Sequence, residues 1–347
     1  MNSSYSPELW SSDRELTFAQ VIELAEETIP NLERYQVSYL GSGWDNDVYS
    51  LNNNWNLRFP RREEIISHLE KEVYLSSVLV PELEQTGVPV PNVKLITPGP
   101  SVGFPYPIGI YPMLKGVSAG ADPTMEMNWA NFIPKTANFL RTLHSIPVGN
   151  FRDFALPTQE TLGCVEWLLE KEDILFHLHS YEVKSLDACA EWLDSCEPLP
   201  PFSGDLSFIH NDLSPEHILL DPEFGTITGV IDWEEGAIGD PVSDFVTLPF
   251  WIGWENTLRV CDSYSLSIDD KFLNRCGAGL AVFSFGFLCV GSFLFGATAT
   301  TSVLRGLGGA ILFGALFWLV GTMLIQEGTP RETVEPDDKK SPAEEDQ

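Results

Sequence analysis

Apolar residues recur at helical spacing in TFAQVIELAEETIP, residues 17–30, where Phe18, Val21, Ile22 and Ala25 fall on one face. Strand-like alternation follows. A charged helix is then predicted over REEIISHLEKEVYLSSVL, residues 62–79. The next passage, GVPVPNVKLITPGPSVGFPYPIGIYPMLKG, is dense in proline and glycine, which confines any strand there to an edge or a short piece. From about residue 125 to 270 helical patterns dominate, broken by short strand-like runs at 208–221 and 226–233. Strands and a helix first, then mostly helices, predict an α+β fold with a small sheet lobe joined to a larger helical lobe.

Two stretches depart from this pattern. Residues 276–326 hold a single charge, Arg305, between two uncharged runs, each long enough to cross a bilayer. The small pairs Ser292/Gly296 and Ala310/Gly314 suit close helix packing. Two readings stand for this segment, a membrane hairpin or the closing helices of the helical lobe. A hairpin would keep both ends cytoplasmic, with Lys271 and Arg275 on one flank and Arg331, Lys339 and Lys340 on the other. The last residues, 327–347, are charged and proline-containing and read as a disordered acidic tail.

Composition narrows the function classes. At 347 residues with a formal net charge of −30, the chain can bury a sizeable core but presents the wrong sign for a nucleic-acid partner. The six cysteines (164, 189, 196, 261, 276 and 289) lack metal-ligand or disulfide spacing, as free thiols in a reducing compartment do. The first residues show no basic stretch leading into an apolar core, so no signal peptide is expected.

Three runs carry chemistry. In LGSGWDNDVYSLNNNWNLRFP, Gly41 and Gly43 flank a turn between two pairable runs, giving G-x-G-x-x-N-x-V with Asn46 and Val48. Glycines let backbone amides approach a polyphosphate, and Asn46 can take a left-handed conformation where a third glycine would sit. A plain hairpin turn fits the same residues. In LRFPRREEIISHLEKEV, Arg58 near a strand end and Glu72 on the following helix can form a phosphate-gripping cation and its orienting carboxylate, or only a surface ion pair. Arg61, Arg62, Glu63, Glu64, Glu70 and Lys71 read as solvated helix charges.

The run FIHNDLSPEHILLD decides between these. Phosphoryl transfer needs a carboxylate to align the acceptor hydroxyl and further ligands for the metal on the phosphates. His210-Asn211-Asp212, then His217, then Asp232 in GVIDWEEGAIGDPVSDF match the ordered template H-R-D-x-x-x-x-N followed by a metal-binding aspartate. Joined to Gly41/Gly43, Arg58 and Glu72, the set is hard to obtain by chance.

On GSGWDNDVY, LRFPRREE, LRTLHSIP, FIHNDLSPEHILLD and VIDWEEGAIGDPVSDF, the chain resembles the aminoglycoside phosphotransferase family, nearest to its aminoglycoside 2''-phosphotransferase and macrolide phosphotransferase branches. The landmarks run from about residue 37 to 250. The resemblance implies a two-lobed protein-kinase-like fold: an extension over 1–16, a sheet lobe over 17–110, a hinge over 111–116 and a helical lobe over 117–326. It implies a magnesium-bound ATP or GTP whose γ-phosphate passes to a hydroxyl of a small molecule such as an aminoglycoside or macrolide. Asp212 is then the catalytic base, and Asp232 with His217 holds the metal. Gly41, Ser42, Gly43, Asn46 and Val48 cover the phosphates, with Arg58 and Glu72 beside them. The backbone from Tyr111 through Met113 to Leu114 receives the purine, and Asp240 and Asp244 hold backbone near the catalytic loop.

The chain departs from the family pattern at two places. Arg58 stands for the usual strand lysine, a planar fork in place of a point charge, and His217 stands for the usual asparagine, a nitrogen ligand where magnesium prefers oxygen. These motivate a rival reading as an inactive binding module, tethered to a membrane or not. His210 and His144 read as structural, and His68, His177 and His179 are assigned nothing. The acceptor pocket is expected from the acidic stretch 150–200 with Trp167 and Trp192. The protein is expected to be a cytoplasmic monomer, with membrane association through 276–326 as the open alternative.

Overall fold

The structure, a computed structural model, describes residue 12 and residues 16–265 except 30, 44, 100–102, 122–124, 159–201 and 203. Helix α1 (Phe18–Thr28) opens on a capping box in which the Thr17 hydroxyl accepts from the Gln20 amide and the Gln20 side chain accepts from the Thr17 amide. Reciprocal caps of this kind satisfy amides that have no partner inside the helix. Five strands follow, β1 (Val37–Ser42), β2 (Asn46–Leu51), β3 (Trp55–Pro60), β4 (Lys94–Ile96) and β5 (Ile108–Pro112), in one antiparallel sheet ordered β1-β2-β3-β5-β4.

The period-two alternation divides this sheet's faces. Tyr49 and Leu51, Leu57 and Phe59, and Ile108 and Ile110 join Val21, Leu24 and Ala25 of α1 in one core. The intervening residues point the other way in two cross-strand rows, Val48–Arg58–Gly109 and Ser50–Asn56–Tyr111. Helix α2 (Ile66–Leu83) packs on that second face. It approaches closely because residue 109 is glycine, where a Cβ would lie 3.2 Å from Leu69 Cδ2.

The second lobe is built on α3 (Trp129–Ser145), capped by Asn128, with the short α4 (Leu248–Trp251) and α5 (Gly253–Tyr264) against it. Phe132, Phe139, Leu140 and Leu143 of α3 share a core with Phe208, Trp233, Phe245 and Val260, and Leu75, Leu79 and Leu83 of α2 enter the same core. Helix α2 therefore belongs to both lobes. Two small sheets complete this lobe, β7 (Ser207–Ile209) with β10 (Ala237–Gly239), and β6 (Val117–Ser118) with β8 (Ile218–Leu220) and β9 (Ile227–Val230).

The molecule corrects two boundaries. The run 208–221 is two strands, β7 and β8, separated by the loop that carries the chemistry-bearing residues. The hinge predicted over 111–116 begins inside the sheet, since β5 continues to Pro112 and the Met113 amide donates to Asn54 O at 2.8 Å. Gly116 ends the linker at φ 120°, and a Cβ there would lie 2.8 Å from Leu220 O. Among the described residues no helix is long and apolar enough to cross a membrane. The segments 276–326 and 327–347, most of the expected acceptor stretch, His177 and His179 all lie outside the described residues.

Candidate active site

The floor of the cleft is set by a buried carboxylate. After β7, the His210 and Asn211 amides donate to Asp244 Oδ2 and Oδ1 at 2.9 and 2.8 Å. His144 Nε2 lies 3.0 Å from the same Asp244 Oδ2, and its Nδ1 lies 2.9 Å from the Tyr264 hydroxyl. Burial alone would raise the Asp244 carboxyl, but the hydrogen bond and charge of His144 hold it below the usual range. Asp240 instead caps its own turn, accepting from the Val242 amide at 3.0 Å. His210 donates from Nε2 to Ile231 O (3.0 Å) and accepts at Nδ1 from the Asp212 amide (3.3 Å), which fixes one tautomer. Complete burial pushes its pKa down, in keeping with a neutral, structural ring.

Two turns in left-handed backbone aim the floor's side chains. Asn211 has φ 68° and Asp232 has φ 67°, a conformation that Asn and Asp tolerate better than most residues. Pairing of β8 with β9 sets Ile218 opposite Val230, so His217 and Asp232 leave adjacent strand ends. His217 Nδ1 donates to Asp212 O at 2.7 Å and lies 3.4 Å from Asp212 Oδ2, while Nε2 lies 3.1 Å from Asp232 Oδ2. The carboxylates of Asp212 and Asp232 thus converge from two sides on one imidazole. Burial disfavours the His217 charge, but the hydrogen bond and charge of Asp232 push its pKa up to about 9. Burial likewise opposes ionised Asp232, and the His217 hydrogen bond with nearby Arg58 overcomes it, holding Asp232 at about 2.

The roof is the β1–β2 turn and the Arg58 row. Arg58 Nη1 donates to both Glu72 oxygens, at 2.7 and 2.5 Å, and Nη2 lies 3.4 Å from Glu234 Oε2 and 3.7 Å from Asp232 Oδ1. Burial works against this charge, yet Glu72 and the other acids keep Arg58 firmly protonated. Burial first, and then the nearby charge of Asp232, raise Glu234 to about 8. A Cβ at Gly41 would meet nothing, and one at Gly43 only Asn46 O at 3.8 Å, so neither glycine is required by local packing. Asn46 corrects its expected backbone. It is an extended strand residue paired with Pro60, and both atoms of its side-chain amide are buried without a partner. Ser42 donates its hydroxyl to Asp47, and Val48 sits beside Arg58 in the facing row.

Several charges set aside as solvated are engaged here. Arg61 donates to Gly43 O at 2.8 Å and Arg62 reaches Asp45 at 3.0 Å, where His68, assigned no role from the sequence, brings its Nδ1 to 3.1 Å. Lys71 donates to the Glu234 carbonyl. The structure brings Arg58, Glu72, Asp212, His217 and Asp232 together, with the glycine turn joined to them through β2 and β3. Tyr111 lies on the same sheet face, one row from Arg58. Met113 spends its amide inside the sheet, so Leu114 carries the first amide past the ladder. Glu234 was missed, although its signal, an acid two residues beyond Asp232, is in the sequence. Asp45, Arg62 and His68 were missed because only folding brings them together.

Comparison with known proteins follows the same lines. A family profile described as "Phosphotransferase enzyme family" matches residues 36–261. An uncharacterized protein of Bacillus subtilis (strain 168), YcbJ, is 29% identical over 230 residues, covering 60% of this chain and 67% of that one. In fold, the chain is similar to wild-type aminoglycoside 2'-phosphotransferase-IIIa solved as its GDP complex. That match has TM-score 0.65 and 20% identity, over 86% of this chain and 98% of the other. Macrolide 2'-phosphotransferase type I matches at TM-score 0.59 and 20% identity, over 85% and 98%. The fold is therefore the two-lobed, kinase-like α+β fold expected from the motifs.

Proposed function

From the premise that this chain belongs to the phosphotransferase enzyme family, matched from residue 36 to 261, we propose that it transfers the γ-phosphate of ATP or GTP to a hydroxyl of a small molecule, an aminoglycoside or macrolide being the first to try. One observation carries this reading: Asp212 and Asp232 face each other across His217, beneath a glycine turn with open space over its Cα atoms.

Asp212, with its side chain 41% exposed to the cleft, serves as base. The acceptor oxygen bonds to the γ-phosphorus, the bond from that phosphorus to the β-bridging oxygen breaks, and the hydroxyl proton passes to Asp212. Arg58 and the turn amides hold phosphate oxygens, and the buried unpartnered amide of Asn46 supplies a donor beside them.

The residues fit a magnesium ion. Asp232 Oδ1 is buried with no hydrogen-bond partner. The Nδ1–H of His217 is fixed on Asp212 O, and Nε2, which carries a proton toward Asp232 while the ring is charged, would serve as a nitrogen ligand once the ion displaces that proton. When bound, the ion neutralises charge on the transferring phosphate oxygens. Asp232→Ala should abolish magnesium-dependent stabilisation by nucleotide in a thermal-shift titration, and an undiminished shift would remove Asp232 from the site.

A second reading, binding without turnover, is favoured by Arg58, whose guanidinium is already surrounded by three carboxylates. Incubating the protein with γ-labelled ATP or GTP and a panel of aminoglycosides, macrolides and hydroxylated metabolites separates the two. Labelled product establishes transfer. Nucleotide-dependent stabilisation without product from any acceptor favours the binding module.

A further inference from the structure

The row Ser50–Asn56–Tyr111 lies one step from Arg58 toward the linker, on the sheet face that roofs the cleft. Residues two apart on a strand are separated by about 6.6 Å along it. Arg58 sits over the phosphate end, beside Asp232. Asn56 therefore lies nearer the linker, where the base of a nucleotide belongs. Tyr111, only 7% exposed, stands directly opposite Asn56 across the β3–β5 ladder. The Asn56 Oδ1 is buried and has no partner. A buried acceptor left unmade is costly, so it marks a place where a ligand donor is missing.

The chemistry of that donor is restricted. Phosphate oxygens and a metal ion offer no hydrogen to an amide oxygen. The exocyclic amine or ring N–H of a purine does. We propose that the Asn56 side chain reads the nucleobase, its Oδ1 accepting an N–H of the purine. The proposal rests on the nucleoside triphosphate donor argued above and adds to it a residue that sets base preference. It also makes Asn56 discriminating in a way an apolar residue there is not, because a purine lacking the N–H leaves the oxygen unpaired in the complex.

The test compares affinities for Mg-ATP, Mg-GTP, the magnesium complex of purine riboside 5'-triphosphate, which has neither exocyclic amine nor ring N–H, and magnesium tripolyphosphate, which has no base. The wild type should bind its preferred natural nucleotide about tenfold more tightly than the purine riboside analogue, equivalent to about 1.4 kcal/mol. Asn56→Ala and the volume-keeping Asn56→Leu should bring that ratio close to one, with tripolyphosphate affinity unchanged. Tyr111→Phe, which removes only the hydroxyl, should keep the ratio.

An unchanged ratio in both Asn56 variants overturns the proposal while leaving the donor reading intact. So does an equal loss for tripolyphosphate or the analogue, which would make Asn56 a packing residue. A ratio that collapses equally in Tyr111→Phe gives the role to Tyr111 and overturns it too. A wild type that binds none of the nucleotides overturns both.

Discussion

Beneath the cleft, Asp244 is 1% exposed and holds two backbone amides together with His144. Above it, Asp45 is held by Arg62 and by His68, whose side chain is 44% exposed. The two regions are fastened with the same residue types in different dielectrics. A buried carboxylate with every oxygen engaged cannot give up one bond without leaving charge or amides unpaired, so the floor stands ready-made. The Arg62–Asp45 pair is itself largely shielded, its side chains 10% and 17% exposed, but the contact of half-exposed His68 is of the kind worth about 0–1 kcal/mol and weakened by salt, so this edge of the roof could shift to admit the polyphosphate proposed above. In the proposed reaction, preorganisation would lie where charge develops and compliance where the nucleotide enters.

The sharpest division is between chemistry and binding on the floor itself. Asp212→Ala should lower turnover by about 10²- to 10⁴-fold, measured as γ-phosphate transfer. Nucleotide affinity in a calorimetric titration should stay near the wild-type value. Turnover that survives this change would take the base away from Asp212.

Next in size is the anchor. Asp244→Ala should cost about 3–5 kcal/mol in a denaturant titration, since it strands a buried histidine and two amides. The acid limb of stability gives a second handle. The folded Asp244 carboxyl titrates below its unfolded value of about 3.9. Its contribution is therefore present above about pH 3.9 and disappears as pH falls through the lower folded pKa. Asp244→Asn should flatten that limb in thermal melts taken across acid pH.

The smallest effect belongs to the roof. His68→Ala, which removes the half-exposed partner of Asp45, should change unfolding free energy by about 1 kcal/mol or less. It should raise the nucleotide KM modestly, leave kcat unchanged, and become indistinguishable from wild type at high salt. A loss from His68→Ala as large as that from Asp244→Ala would erase the distinction between the two regions.

Motif order made the candidate set legible. Arg58, Glu72, Asp212, His217 and Asp232 are spaced as one chemical task requires, and the structure draws them together. The helices α1 and α2 were legible from periodicity, α1 with a cap written in Thr17 and Gln20. The small strands β6 to β10 span two to four residues, too few for alternation to register. Arg62 and Lys71 were misread as solvated, and His68 was given no role, because a charge's partner, Asp45 or Glu234, comes from elsewhere in the chain. Asn46 misled for another reason. Its place in the glycine pattern suggested a left-handed turn, but β2 pairing begins at that residue and holds it extended.

Gly109 bears on how such a pocket tolerates change. A single added methyl would lie 3.2 Å from Leu69 Cδ2 and 3.7 Å from Arg58 Cβ, so Leu69 must give by a few tenths of an ångström, one turn from where Glu72 meets Arg58. Gly109→Ala would thus crowd both the base of Arg58 and the helix that carries Glu72, bearing on that ion pair with every polar side chain still present. Whoever surveys variants of this chain for lost activity should look there as well as at the acids and the histidine, because the spacing between helix and sheet depends on one missing carbon.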